Sequence, residues 1–232
     1  MRAFRSVESF SRAKGCGYDA VALFEPPVSA DWAAVREALA EAGVDPTYFG
    51  RFTSARGRQV LGGGELDYRA ATPVLLACLD QVRDPRVLEA VVRSLSTSAA
   101  RGSAFVPLLD LFRRTPNGQA SLKWAIGNAL SVVAQRTDLP AVYEVAIDRS
   151  HVGRSMLVGM LWRLAEPDPV PELRILVADP DCAFAAMSSL RRKVSPDEAR
   201  SVIGPLTDNA VETVRNAARE NLKRVNKASR QA

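Results

Sequence analysis

Two kinds of residue recur in step along this chain and constrain its fold more than any other feature. Prolines that precede apolar helical patterns stand at Pro73, Pro107, Pro140, Pro171 and Pro205, at spacings of 34, 33, 31 and 34. Leucines late in a second helical pattern stand at Leu95, Leu130, Leu161, Leu190 and Leu222, at spacings of 35, 31, 29 and 32. Two residue types kept in phase over such a period mark a repeat architecture, in which no unit buries its apolar stripe alone but stacked units do. Each unit reads as a first helix, a turn and a second helix.

The second helices agree in detail. Five and four residues before each leucine lie Ala90/Val91, Ala125/Ile126, Met156/Leu157, Ala185/Ala186 and Ala217/Ala218. At 100° per residue these positions share one side of the helix with the leucine. Small residues there let a neighbouring helix approach closely. Turn chemistry separates the patterns: "RDP" before Val87, "RRTPNG" at 113–118, "EPDP" at 166–169, "DPD" at 179–181 and "SPDE" at 195–198. Proline near a helix start loses no hydrogen bond, because its missing N–H would be unpaired there anyway. Pro107, inside "AFVPLLDLF", is instead expected to kink its helix.

The stretches "AATPVLLACL", "VLEAVVRSL", "LKWAIGNALSVVA", "HVGRSMLVGMLWRL" and "ETVRNAARENLKRV" resemble the helices of short bacterial HEAT-like repeats. The last has their Val-Arg-x-Ala-Ala cadence, and a basic residue seven before the leucine recurs as Lys123, Arg154 and Arg215. An ankyrin reading lacks its hairpin glycines, and a tetratricopeptide reading lacks a recurring Trp and Gly-x-x-Tyr. The resemblance covers about residues 69–226. It implies an all-α fold: an α-solenoid of about five helical pairs, a curved scaffold that binds another macromolecule and carries no chemistry of its own.

Ahead of the repeats, residues 1–53 are expected to form an N-terminal helical cap and residues 54–68 a flexible connector holding Gly62, Gly63 and Gly64. Within the cap, "SADWAAVREALAEAG" reads as a helix that Ser29 or Asp31 caps, with Trp32, Val35 and Leu39 on one side and Gly43 as its stop. The opening "MRAFRSVESFSRAKG" has no continuous apolar core, so a docked helix is expected rather than a secretory signal. With 47% hydrophobic and 25% charged residues the composition is that of a soluble globular protein. The longest apolar run, about ten residues near 70–79, cannot span a bilayer. Three scattered cysteines, Cys16, Cys78 and Cys182, form neither a disulfide framework nor a zinc spacing, which fits the cytoplasm. Cys78, inside the apolar run, reads as a buried inert thiol.

The net charge of +5 lies wholly at the C-terminal end. Arg215, Arg219, Lys223 and Lys227, at i, i+4, i+8 and i+12, make one basic stripe on the last helix, followed by a short basic tail at 227–232. That stripe is either a solvated end face or an anchor for an acidic partner, nucleic acid included. The rest of the chain shows no convergent chemistry. The glycine cluster is not followed by Lys-Ser/Thr, the single His151 lies in a turn before a second helix, and Asp179 and Asp181 flank Pro180 as turn caps. No metal, no cofactor and no enzymatic activity are expected.

What remains is one side of the second helices. Six before each leucine stand Glu89, Trp124, Ser155, Phe184 and Asn216; two before, Arg93, Asn128, Gly159, Ser188 and Glu220; one after, Ser96, Ser131, Trp162, Arg191 and Lys223. This side is either presented to a partner or packed against the next second helix. The expected contact surface comprises Arg93, Lys123, Trp124, Asn128, Arg154 and Trp162, facing a protein or peptide; Lys123 and Arg154 are either solvated or paired with Asp148 and Glu144. An alternative follows from a second resemblance. DNA-alkylation-repeat glycosylases, also HEAT-like, set an aromatic and a carboxylate four residues apart on a concave helix, as Trp124 and Asn128 are spaced here. Asn128 cannot ionise, and the neutral body offers no phosphate-binding groove.

Overall fold

In the computed structural model, residues 29–50 and 66–229 are described. The expectations for the N-terminal segment, Cys16 and the glycine cluster therefore lie outside the described residues. Among those described, the protein is all-α, with eleven α-helices and no strand.

Helix α1 (Ala30–Glu41) begins where expected, with the Ser29 hydroxyl accepting the Trp32 N–H at 3.2 Å, and buries Val35 and Leu39. Its Asp31 carboxylate has a second task. It accepts the N–H groups of Arg83 and Asp84 at 2.6 and 2.7 Å, joining α1 to a turn more than fifty residues away. These two bonds, Asp84 first, hold the Asp31 carboxyl below the usual carboxylate range.

Five successive helix pairs follow: α2 (Tyr68–Cys78) with α3 (Pro85–Ser94), α4 (Phe105–Arg114) with α5 (Ala120–Val133), α6 (Leu139–Ile147) with α7 (Ser155–Val158), α8 (Val170–Leu176) with α9 (Ala183–Lys193), and α10 (Pro196–Ile203) with α11 (Glu212–Ser229). Pro140 and Pro171 occupy first-turn positions, and Pro205 opens the 3-10 segment Gly204–Asp208 that extends α10. Pro107 does not kink its helix. Because α4 starts at Phe105, Pro107 falls in the first turn, where no backbone bond is lost. Pro73 is the proline inside a helix, and beside it Thr72 Oγ1 donates to the Tyr68 carbonyl at 2.6 Å. The last helix runs through 227–229, into what the sequence suggested was a tail.

The pairs pack in chain order. Each second helix contacts the second helices before and after it, from α3 through α5, α7 and α9 to α11, and its own first helix behind. Leu95, Leu130, Leu161 and Leu190 are wholly buried along this seam. Leu222 is only partly buried, since no further pair follows it among the described residues. One apolar cluster extends unbroken from Val35 to Val225. Polar bonds repeat with the same period: Ser121 to Glu89 at 2.9 Å, Arg163 to the Ala134 carbonyl at 3.0 Å, Ser189 to the Val158 carbonyl at 2.8 Å and Lys193 to the Leu164 carbonyl at 2.8 Å.

The third pair departs from the pattern. The second helix expected over 151–164 shrinks to α7 and a 3-10 turn at Leu161–Arg163. Gly153 bends the chain ahead of it with a φ of +77°, and a Cβ there would lie 3.1 Å from Lys123 Cβ. A Cβ on Gly127 of α5 would likewise meet Met156 Cβ at 3.1 Å. α5 and α7 thus touch through glycines, nearer than side chains would permit.

Leu130 is central to the seam, so Leu130→Ala should destabilise the protein by about 2–5 kcal/mol in urea unfolding, through a cavity that the flanking helices cannot close. A loss below about 1 kcal/mol would show that the second helices do not form the packed seam.

Candidate interaction surface

The six residues expected to share a contact surface divide into two groups. Trp124, Trp162, Arg93 and Asn128 lie along the solvent side of the second helices, while Lys123 and Arg154 are buried at 1% and 3% exposure. The sequence expectation for Lys123 and Arg154 is therefore corrected: they are interior and link neighbouring pairs, not part of the exposed surface. Neither makes the anticipated ion pair with Asp148 or Glu144; Arg113 approaches Glu144, at 3.8 Å.

Burying two cations demands compensation. Arg154 donates one guanidinium nitrogen to the Ala146 carbonyl at 3.1 Å and another to the Asp179 carboxylate in the next pair. Asp179 also caps its own turn by accepting the Asp181 N–H at 3.0 Å, so the turn role read from the sequence is only half of its work. Lys123 has no ion-pairing carboxylate. Its Nζ donates to Asn117 Oδ1 at 2.8 Å, lies 3.2 Å from His151 Nδ1, and sits 5.0 Å from the centre of the Phe112 ring. With the ammonium as donor, His151 Nδ1 must accept, which places its proton on Nε2, facing Asp148 Oδ2 at 3.8 Å. The Asn117 side chain completes the junction through the Ser150 carbonyl and the Val152 N–H. Burial pushes the Lys123 ammonium down from its ordinary value, against the pull of Asp148. Burial, then the Lys123 charge, lowers His151 as well.

The solvent side has a repeating construction. Trp124, Trp162 and Phe184 are exposed by 44%, 39% and 47%, on three successive second-helix segments. Each lies beneath an arginine from a neighbouring second helix. Arg93 of α3 covers Trp124 at 5.4 Å, Arg192 of α9 covers Trp162 at 4.8 Å, and Arg224 of α11 covers Phe184 at 5.4 Å. Glu89 orients Arg93 at 2.6 Å and also receives the Ser121 hydroxyl; Glu220 pairs with Arg224 at 3.1 Å. Asn128 Nδ2 donates to Ser96 Oγ at 3.3 Å, which ties it to the preceding pair. Phe184 shares the helical position of Trp124, six before the leucine. Arg192 and Arg224 share another, two after it, and that column was the signal in the sequence for both stacks.

The basic stripe on α11 is also divided. Arg215 donates to the Asn209 and Ala210 carbonyls at 2.7 and 3.2 Å, and Arg219 donates to the Thr207 carbonyl at 3.2 Å. Both fold back on the preceding turn, Arg219 staying exposed as Lys223 and Lys227 are. Cys78 and Cys182 are buried free thiols; burial raises Cys78 and pushes Cys182 up to about 12, which keeps Cys182 protonated and inert at neutral pH. Among the described residues no cluster of three or more His, Cys, Asp or Glu side chains is placed to hold a metal, and no helix is long and apolar enough to cross a membrane.

The Lys123–His151 contact makes stability depend on pH. A depressed folded-state pKa means that the unfolded chain binds the proton first, so the stability from neutral His151 is full above its ordinary value of 6.5 and declines as pH falls below it. The lowered carboxylates Asp31 and Asp148 act only beneath 3.8, outside that window. Between about pH 7.5 and pH 5 the melting temperature of the wild type should fall, and His151→Gln should flatten that fall. An unchanged pH profile in the variant would remove His151 from this role.

Comparison with protein-family models, with curated proteins and with solved structures returned no match.

Proposed function

We propose that this protein is a non-catalytic scaffold, an α-solenoid of HEAT-like helical pairs under an N-terminal cap, that binds a protein or peptide partner along its second helices. The observation that carries this reading is the row of exposed Trp124, Trp162 and Phe184, each stacked by an arginine from the adjacent pair. Aromatic rings combine large apolar area with little conformational entropy to lose, and arginine adds directed donors, so both are favoured anchors at interfaces. Guanidinium stacking holds each ring in one orientation before a partner arrives, which lessens the ordering cost of binding. The polar network that does converge, at Lys123 and His151, is shut off from solvent at the lysine and serves the junction between pairs.

The alternative is a nucleic-acid-binding protein related to the DNA-alkylation-repeat glycosylases. Trp124 is exposed, as that reading needs, but Asn128 is a neutral amide bonded to Ser96 and offers no carboxylate for base excision. Cations across the face are engaged with carbonyls or carboxylates at Arg93, Arg163, Lys193 and Arg224, which leaves few for a line of phosphates.

With a partner isolated by affinity capture and the complex reconstituted from purified components, Trp124→Ala should weaken binding by roughly tenfold or more, about 2 kcal/mol. Val106→Ala, at an exposed apolar position on the first helix α4, should leave it unchanged. Equal affinity for wild type and Trp124→Ala, with both folded, would place the contact surface elsewhere.

A further inference from the structure

The second-helix face is not uniform in charge. Toward the first pair, Arg93 is neutralised by Glu89. Toward the last two pairs, Arg191 and Arg192 of α9 and Lys223 of α11 make no ion pair among the described residues; Arg224 is paired with Glu220. Arg191 is half-buried and donates to Asn221 Oδ1 at 3.3 Å, while Arg192 and Lys223 are exposed. Burial and the adjacent charges of Arg192 and Arg224 together act against the Arg191 cation. Cations that outnumber the carboxylates beside them repel one another in the free protein and relax when an anion arrives. Arg192 covers Trp162 and Arg224 covers Phe184, two of the three exposed rings among the described residues.

Resting on the scaffold reading above, we propose that this end of the face takes an acidic partner segment in which carboxylates alternate with apolar side chains. Carboxylates match the forked donors of Arg191 and Arg192 and the ammonium of Lys223, and apolar side chains match the free edges of Trp162 and Phe184. A peptide suits the geometry better than nucleic acid, because the uncompensated cations form a short cluster and not a track. The occupant is supplied in trans. The undescribed stretches of this chain are themselves basic: residues 1–28 hold four Arg or Lys against three Asp or Glu, and residues 51–65 hold three against one.

The test uses the full chain and a fluorescent peptide of Glu-Glu-Leu-Phe repeated three times. Its comparators are the same peptide with every Glu replaced by Gln and an oligothymidylate of matched charge. The acidic peptide should bind, weaken at least tenfold between about 50 and 300 mM salt, and lose at least tenfold when Glu becomes Gln. The double variant Arg192→Gln with Lys223→Gln, both exposed positions, should retain the wild-type melting temperature and bind the acidic peptide at least tenfold more weakly. Arg192→Lys, which keeps the charge but not the planar fork, should fall between. Equal binding of the Glu and Gln peptides, tighter binding of the oligothymidylate, or a double variant that binds like wild type would each overturn the inference. If a natural partner needs Trp124 but ignores the double variant, the scaffold reading stands and the acidic specificity fails; if it ignores both, both fail.

Discussion

No pair of helices among the described residues encloses its own apolar stripe, and the packing follows from the way that stripe is covered. Leu95, Leu130, Leu161 and Leu190 reach zero exposure because the second helix of each pair lies against the second helices of its neighbours. Small residues make the approach close, most visibly where Gly127 of α5 meets Met156 of α7. In the proposed solenoid, stability is a sum over neighbours and not the property of any one pair. The unburied end shows the same rule in reverse: Leu222, on the last helix, remains partly open.

Cations reinforce the junctions around the shortest of the second helices. α7 is a single turn, and it is there that Arg154 reaches back to the Ala146 carbonyl and forward to Asp179. Lys123 performs the corresponding service between the second and third pairs through Asn117 and His151. A buried ion pair adds little net stability compared with well-packed apolar residues, yet breaking one side of it is costly because a bare charge is left behind. Removing the partner of either cation would leave a buried charge without compensation, and the His151 ring makes one junction sensitive to protonation.

The all-α fold and the succession of helices were legible from the sequence, because proline position, turn chemistry and apolar period are local signals. The short α7 was less so: Met156, Leu157, Leu161 and Leu164 keep a helical period, yet Gly153 delays the start of the helix and its regular part ends at Gly159. The surface was half legible. The helical wheel set Trp124 and Trp162 apart from the leucine side but left open whether they are exposed or packed, because a wheel treats every residue as alone. It cannot show that a lysine seven before the leucine finds an amide and an imidazole across the next turn, so Lys123 and Arg154 read as surface charges although both are interior. For the same reason Arg192 and Arg224 escaped notice, since their significance lies in the rings of the adjacent helices.

Two faces of one set of helices thus do different work: the leucine side binds pair to pair, and the opposite side presents rings fixed by arginines that the stacking brings within reach. If neighbouring pairs hold one another across a single period, the buried contact between the third and fourth must be energetically coupled. A double-mutant cycle in urea with Arg154→Met, Asp179→Asn and the combination measures this directly. The single variants should each destabilise, and the double variant should be less destabilised than their sum by about 1 kcal/mol or more. Strict additivity would mean that Arg154 and Asp179 act independently, and would contradict a stack held together pair by pair.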